Sequence, residues 1–278
     1  MRTIVLNRQS IVPGTNNSEL EYVFPGGGVS IGPGDKLALS SLTMFYSTPN
    51  ITTLNNNTSY AYEWKGVTYP VVMPDGFYEV AQINDFLHQT MINNKHYLVE
   101  TSTNNFVYFI TLAVNTVTYK IDATVYPLSI ALYPALDYTI PAGADWDLSV
   151  LFSPSLTILP NSFGNVIGFA AGSYGTVTVT TVFSSTFTPQ VSPLSTFLLK
   201  CSLVNNSYSV PNSVIYSFPP FGSFGRQFTV IPPEFSFLDL QTGSYSTFRI
   251  SLTDQNDRPI SILDPDICIL LVIKSSKE

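Results

Sequence analysis

Apolar and polar residues alternate with a period of two along much of this chain. Such runs lie at Val117–Val125, at 177–183 and at 248–253. Because successive side chains of a strand point to opposite faces, this period predicts half-buried strands, and its repetition favours antiparallel sheets. Further strands are predicted at 3–7, 19–24, 36–46, 106–113, 146–152, 197–204, 212–217 and 267–273.

One segment departs from this period. Between Glu79 and Asn93, apolar residues recur at spacings of three and four, at Val80, Ile83, Phe86, Leu87 and Met91. These positions form a stripe along one side of a helix, so the segment predicts one amphipathic helix at about 79–93. Clusters of Pro, Gly and Asn separate the other segments and predict turns.

Many short strands and one isolated helix favour an all-β fold. We expect an antiparallel β-sandwich, most simply a single jelly roll with an inserted segment that contains the helix. The predicted organisation is an N-terminal arm at 1–18, a jelly-roll domain at 19–273 and a C-terminal tail at 274–278. A decorated insertion at about 48–105 accounts for the residues that a bare jelly roll would not need. No repeat of fixed period suggests two independent domains.

Charge excludes several functional classes. Only 11% of the 278 residues are charged, 12 basic against 19 acidic, and the net charge is −7. Because Lys and Arg are scattered, we expect no direct contact with nucleic acid. The longest apolar runs, such as Ile267–Ile273, fall well short of the roughly 20 residues that span a bilayer, so we expect no membrane span. The N-terminal residues become polar too early for a signal peptide, which predicts a protein that is not secreted by that route.

Cysteine and histidine offer little chemistry. Cys201 and Cys268 lack metal-ligand spacing, and both are predicted to be buried free thiols. His88 lies off the apolar stripe of the helix and is predicted to be solvated, and His96 is predicted to lie in a loop. Neither has a second His or Cys at ligand spacing. We therefore predict no catalytic, cofactor-binding or metal-binding residue, no cofactor and no enzymatic activity.

Two groups of acidic residues have an alternative interpretation. Asp145 and Asp147 flank Trp146 and could be the paired carboxylates of a glycosidase, although two exposed acids at the start of a strand are the favoured interpretation. Asp254, Asn256 and Asp257, with the acids at 264 and 266, supply enough oxygen atoms to ligate calcium. The favoured interpretation of this second group is a polar hairpin loop between the strands at 248–253 and 267–273. Its side chains would then cap their own backbone.

An aromatic cluster suggests a binding role as the second hypothesis. Tyr60, Tyr62, Trp64 and Tyr69 follow a run of three Asn residues and could line a carbohydrate or receptor site in an attachment module. The alternative is that these rings pack the inserted segment. In either case no catalytic group is required.

Three stretches resemble one family of viral proteins. The C-terminal third contains FRISLTDQN at 248–256, PI at 259–260, ILDPDI at 262–267 and LLVIK at 270–274. The stretch PDGFYEV at 74–80, with INDFL at 83–87, is similar to a "G-[FY]-Y followed by a helix" segment. The stretch NSFGNVIGF at 161–169, with GSY at 172–174, is similar to an "F-x-x-x-I-G-F … G-x-Y" segment. In this order they resemble the penton, or minor capsid, proteins of Polinton/Maverick elements and adintovirus-like viruses.

This resemblance implies a structural role in a virion. Proteins of the family are single jelly rolls that form homopentamers at the vertices of an icosahedral capsid, beside a separate double jelly-roll major capsid protein. The expected location is the capsid vertex, after assembly inside the host cell. A host receptor or a glycan is a further partner under the attachment hypothesis.

Overall fold

The computed structural model describes residues 1–175 and 178–276. Val177, at the start of one predicted strand, and Lys277 and Glu278 of the predicted tail lie outside them. The first strands are β1 (Arg2–Asn7), β2 (Glu19–Val23), β3 (Val29–Ile31) and β4 (Lys36–Phe45). Then follow β5 (Ser59–Trp64), β6 (Val67–Val72), α1 (Val80–Asn93), β7 (Leu98–Glu100), β8 (Phe106–Val107), β9 (Ile110–Asn115), β10 (Lys120–Val125), β11 (Tyr138–Thr139), β12 (Ser155–Ile158), α2 (Phe163–Ile167), β13 (Gly172–Tyr174) and β14 (Thr181–Ser184). The last are β15 (Phe197–Cys201), β16 (Val214–Phe218), β17 (Gln227–Val230), β18 (Leu238–Asp239), β19 (Gly243–Tyr245), β20 (Thr247–Thr253) and β21 (Cys268–Lys274).

The chain forms two compact units. One consists of Met1–Pro49 with Leu194–Glu278, and the other of Asn50–Pro193. The second unit is inserted between β4 and β15 of the first, and we call it the inserted unit. The arm, domain and tail boundaries predicted from the sequence stay a prediction, and β1 lies within the predicted arm.

The first unit is a jelly roll, which confirms the predicted fold class. One sheet has the order β1-β21-β4-β17 and the other β2-β20-β15-β16, with all neighbours antiparallel. If these eight strands are numbered one to eight along the chain, the orders are 1-8-3-6 and 2-7-4-5. Strand one is therefore a neighbour of eight, two of seven, three of six and four of five. This pairing is that of one long antiparallel hairpin rolled into two sheets, which is a jelly roll. We call it the jelly-roll unit.

Alternating side chains from both sheets fill the core of the jelly-roll unit. Leu6 pairs with Ile269, which pairs on its other side with Leu42 in β4. In the second sheet, Cys201 pairs with Ile250. All five side chains belong to one buried cluster, because a period of two keeps every second residue on the same face.

The two sides of the sandwich are formed by different strands. The ring centroids of Phe218 in β16 and Phe228 in β17 are 6.1 Å apart, so these edge strands lie on one side. On the other side are β1 and β2, where Val12, which follows β1, donates its N–H to the carbonyl oxygen of Glu19 at 2.9 Å. Each side therefore contains one edge strand of each sheet.

The described residues of the inserted unit form their own core, with three small antiparallel sheets and two helices, α1 and α2. The sheet orders are β13-β12-β5-β6, β14-β10-β9 and β11-β7-β8. Helix α1 buries Val80, Ile83, Leu87 and Met91, which confirms the predicted amphipathic helix. The Oε1 atom of Gln82 accepts the N–H of Glu79 at 2.9 Å, which satisfies a free donor at the start of the helix.

Several predicted strands are shorter than expected, interrupted or absent. In the run Val117–Val125 only Lys120–Val125 is a strand, because Asn115 Oδ1 accepts the N–H groups of Val117 and Thr118 and closes a turn. The described segment 146–152 forms no strand. A β-bridge joins its Phe152 to Leu128, and Leu148 accepts the N–H of Ile130. Among the described residues, no helix is long and apolar enough to cross a membrane.

Candidate functional site

His96 is part of the core of the inserted unit. As predicted, it lies in a loop, between α1 and β7, but only 1% of its surface is exposed. Its ring stacks on Trp64 with centroids 4.4 Å apart, and Nδ1 lies 2.7 Å from the Tyr62 hydroxyl oxygen. Burial lowers the pKa of His96 to about 4, and the nearby Asp145 carboxylate opposes this shift. A neutral ring held by these partners is a packing element.

His88 is also partly buried, so the prediction of a solvated side chain was wrong. Its ring stacks on Tyr108 with centroids 3.8 Å apart. The Nε2 atom lies 3.1 Å from the carbonyl oxygen of Ile110, at the start of β9. Burial lowers the pKa of His88, which favours a neutral ring between α1 and β9.

The two acids considered for glycosidase chemistry do not have the electrostatics of an acid–base pair. Asp147 Oδ1 accepts the N–H of Ser149 at 2.9 Å and faces the Lys65 ammonium at 3.8 Å. Hydrogen bonds from the Ser149 hydroxyl and N–H lower the pKa of Asp147, whereas a general acid needs a raised pKa. Asp145 is exposed, and Trp146 between the two acids is buried.

The acidic loop at 254–258 is closed by its own hydrogen bonds. Asp254 accepts the N–H of Arg258 at 2.8 Å and that of Asn256 at 2.9 Å, and its other oxygen accepts Nε of Arg258 at 2.8 Å. This agrees with the expected capping of the backbone. The predicted hairpin was wrong, because β20 and β21 belong to different sheets. In the parts of the chain described, no group of three or more His, Cys, Asp or Glu residues could hold a metal ion.

The two cysteines differ in environment. Cys201 is buried, as predicted, and burial raises the pKa of its thiol to about 12. Cys268 is exposed, so its predicted burial was wrong. It lies on the outer face of β21 because Ile269 and Leu271 occupy the inner face, and it borders an open cleft of about 390 Å³.

The aromatic cluster is interior. Tyr60, Tyr62 and Trp64 are at most 2% exposed, and Tyr69 stacks on Tyr62 with centroids 5.4 Å apart. A sugar stacks on the open face of a ring, which these three side chains lack. The rings therefore pack the inserted segment, and the carbohydrate-site interpretation of these residues is not favoured.

The surface most suited to binding is one side of the jelly-roll unit. Apolar side chains project from the loops that flank β16 and β17, and each is between 47% and 100% exposed: Tyr208, Val210, Phe221, Ile231 and Phe235. The 38 residues from 201 to 238 contain two charged residues, Arg226 and Glu234. We call this surface the aromatic side. Depletion of charge together with enrichment of aromatic rings is the compositional signature of an interface centre.

The opposite side of the jelly-roll unit is charged. Arg249 Nε lies 3.2 Å from a carboxylate oxygen of Glu21 in β2, and its guanidinium also reaches Glu19 at 3.7 Å. Arg8, which follows β1, is 3.5 Å from Asp266. The two sides thus differ in chemistry.

Reasoning from residue types alone missed the aromatic side. It has no catalytic or ligand motif, and its side chains come from three loops. A signal is nevertheless present in the sequence, since Phe218-Pro219-Pro220-Phe221 and Ile231-Pro232-Pro233 lie within the stretch that is nearly free of charge. Proline lacks the N–H that strand pairing needs, and Phe221 and Ile231 beside these prolines lie outside the strands.

Comparisons with known proteins give structural similarity alone. No protein-family model and no curated protein matches the chain. It is similar to the mavirus penton protein, with 11% identity, a TM-score of 0.44, and coverage of 99% of this chain and 97% of that chain. It is also similar to a chain of the Sputnik virophage, with 11% identity, a TM-score of 0.36, and coverage of 100% of this chain and 99% of that chain.

Proposed function

We propose that this chain is a structural virion protein without catalytic activity. In this proposal it is a penton, or minor capsid, protein that forms homopentamers at the vertices of an icosahedral capsid. Its partners are further copies of itself and a double jelly-roll major capsid protein, and its location is the capsid vertex. The resemblance of its sequence motifs to the pentons of Polinton/Maverick elements and adintovirus-like viruses supports this role.

The observation that carries the proposal is the aromatic side of the jelly-roll unit. Exposed rings such as Phe221 and Phe235 lose unfavourable contact with water when they are covered. Covering these rings requires little desolvation of charge, because Arg226 and Glu234 are the only charged residues in the sequence from 201 to 238. A surface of this composition is suited to lasting contact with another protein.

A closed ring follows from joining the two unlike sides. A heterologous contact, in which one side of each copy meets the opposite side of the next, closes into a cyclic oligomer when the rotation fits. We propose that the aromatic side meets the β1–β2 side of the neighbouring copy. Arg2 and Arg8 lie on or beside β1, and guanidinium groups pack favourably on aromatic faces.

The terminal segments are proposed as tethers to other shell components. Residues before β2 and the end of the chain after β21 belong to these predicted segments. Ser276 donates its N–H to Asp35 at 2.9 Å, so the described end of the tail runs beside the jelly-roll unit. This contact lowers the pKa of Asp35 and keeps its carboxylate charged.

The test is the mass of the purified full chain by sedimentation velocity, alone and with a double jelly-roll major capsid protein. We expect a species of five times 30.6 kDa in at least one of these conditions. The double variant Phe221→Ser with Ile231→Ser removes two apolar anchors and should shift the protein to monomer.

The matched control is Leu54→Ser with Val67→Ser, two exposed apolar residues of the inserted unit. It should leave the mass unchanged. A protein that stays monomeric in both conditions, or a control that disrupts the oligomer equally, would reject the proposal.

A further inference from the structure

A second apolar surface lies on the inserted unit, at residues 129–151. Five aliphatic side chains project from this segment, and each is between 40% and 90% exposed: Ile130, Leu132, Leu136, Val150 and Leu151. Single exposed aliphatic residues are common on protein surfaces, but a group of them within one segment is typical of an interaction site.

The backbone of this segment is held in place. Leu128 and Phe152, which flank it, exchange two backbone hydrogen bonds of 2.7 and 3.1 Å. Within the segment, Ile130 donates its N–H to the carbonyl oxygen of Leu148 at 3.1 Å. Trp146 is buried, and its Nε1 donates to the carbonyl oxygen of Lys95 at 2.7 Å. Because the buried rings and this pairing fix the chain, the aliphatic side chains are presented to solvent by a preformed surface.

The charge of the segment is entirely negative. It contains Asp137, Asp145 and Asp147, and no Lys or Arg occurs anywhere between Lys120 and Lys200. Two cations reach the segment from outside: Lys65 lies 3.8 Å from Asp147, and Lys95 donates to the carbonyl oxygen of Gly143 at 3.0 Å. In the described part of the chain, Asp137 and Asp145 have no ion pair and both are exposed.

We propose that the 129–151 segment docks a basic, apolar segment of a partner protein. The aliphatic side chains supply the apolar contact, and the two acids without ion pairs favour a partner that carries Lys or Arg beside apolar residues. The same segment of a second copy fits poorly, since in such a contact the same acids would face each other. Anionic lipid fits poorly for the same reason.

The test uses a fluorescently labelled peptide of alternating Lys and Leu and the full-length protein, with binding measured by anisotropy. We expect saturable binding that weakens as salt is raised. Ile130→Ser with Leu136→Ser should weaken binding about tenfold, because two apolar contacts are lost. Asp137→Asn with Asp145→Asn should weaken it about fivefold and reduce the dependence on salt.

Matched controls change the same residue types elsewhere. Leu54→Ser with Val67→Ser, and Asp85→Asn with Glu63→Gln, should leave the affinity within about twofold. Equal loss in the controls and in the segment variants would overturn the proposal, as would equal binding of a Lys–Ser peptide. It would also be overturned if vesicles containing anionic lipid bound the segment while the Lys–Leu peptide did not, or if the Ser variants changed the mass of a self-assembled species.

Discussion

The jelly-roll unit and the inserted unit differ most in their charge. The former has nine Lys and Arg against ten Asp and Glu, a net charge of −1, whereas the latter has three against nine, a net charge of −6. Copies of the inserted unit repel each other when they approach, while copies of the jelly-roll unit do so weakly. Contact between copies is therefore least costly through the jelly-roll unit, and the inserted unit is better suited to a partner of opposite charge.

The two units also carry separate reporters. Both cysteines, Cys201 and Cys268, belong to the jelly-roll unit, and both tryptophans, Trp64 and Trp146, belong to the inserted unit. Both histidines are in the inserted unit as well. Thiol reactivity therefore reports on the jelly-roll unit, and tryptophan fluorescence reports on the inserted unit.

The largest expected effect is a cavity in one core. Phe197 is fully buried in the jelly-roll unit and stacks on Phe218 with centroids 5.1 Å apart. Phe197→Ala should lower the free energy of unfolding of this unit by about 3–5 kcal/mol, because a buried ring leaves an unfilled space. Phe163→Ala in the core of the inserted unit is the matched variant.

Denaturant titrations would compare the two variants, with Cys201 labelling and tryptophan fluorescence as readouts. Phe197→Ala should move the transition reported by Cys201 labelling to a lower denaturant concentration, with a smaller shift in the fluorescence transition. Phe163→Ala should do the reverse. Identical shifts of both readouts in both variants would show that the two cores behave as one.

The next effect concerns the two thiols of the jelly-roll unit. Burial raises the pKa of Cys201 to about 12, so little thiolate is present near neutral pH, whereas Cys268 is exposed. Cys201 in the native protein should react with a thiol reagent more than about a thousandfold more slowly than Cys268. Mass spectrometry of the labelled peptides measures both rates. Comparable rates would contradict the buried position of Cys201 in this unit.

The smallest effect is a dependence on pH that is confined to the inserted unit. The pKa of His96 is about 4 in the folded unit against an ordinary value of 6.5, so the unfolded chain binds the proton first as pH falls. Stability is therefore lost as pH falls from about 6.5 towards 4, by at most about 3 kcal/mol after solvent screening is allowed for. Thermal unfolding followed by tryptophan fluorescence measures this loss.

His96→Gln should remove most of this dependence on pH. The groups that face the ring are Tyr62, Tyr69, Trp64 and, at longer range, Asp145. His88→Gln is the comparison variant, and its stability should keep the larger part of the dependence on pH. An unchanged pH profile in His96→Gln would place the titrating group elsewhere.

The sequence predicted the jelly-roll unit well because its strands are half-buried. Leu199 and Cys201 face the core as their alternation indicates, and the fold class follows from many such strands. Alternation reveals faces and not neighbours, which is why the connection at 254–267 was assigned to a hairpin although it crosses between sheets. Cys268 was placed inside for a related reason, since a continuous apolar run hides which of its residues face outward.

The inserted unit was harder to predict because its polar rings are buried by distant partners. His96 meets Tyr62, which is 34 residues away, and no local pattern indicates that contact. The aromatic side and the 129–151 segment were missed for the opposite reason. The signal of the aromatic side is a long stretch with few charged residues, and that of the 129–151 segment is a long stretch without Lys or Arg. Each becomes informative only when the exposed side chains are known.

The most direct test of the central claim is hydrogen–deuterium exchange on the assembled and the dissociated protein. If the jelly-roll unit makes the contacts between copies, peptides covering 205–238 should exchange more slowly on assembly, and peptides covering 129–151 should be unchanged. Protection at 129–151 without protection at 205–238 would contradict the account.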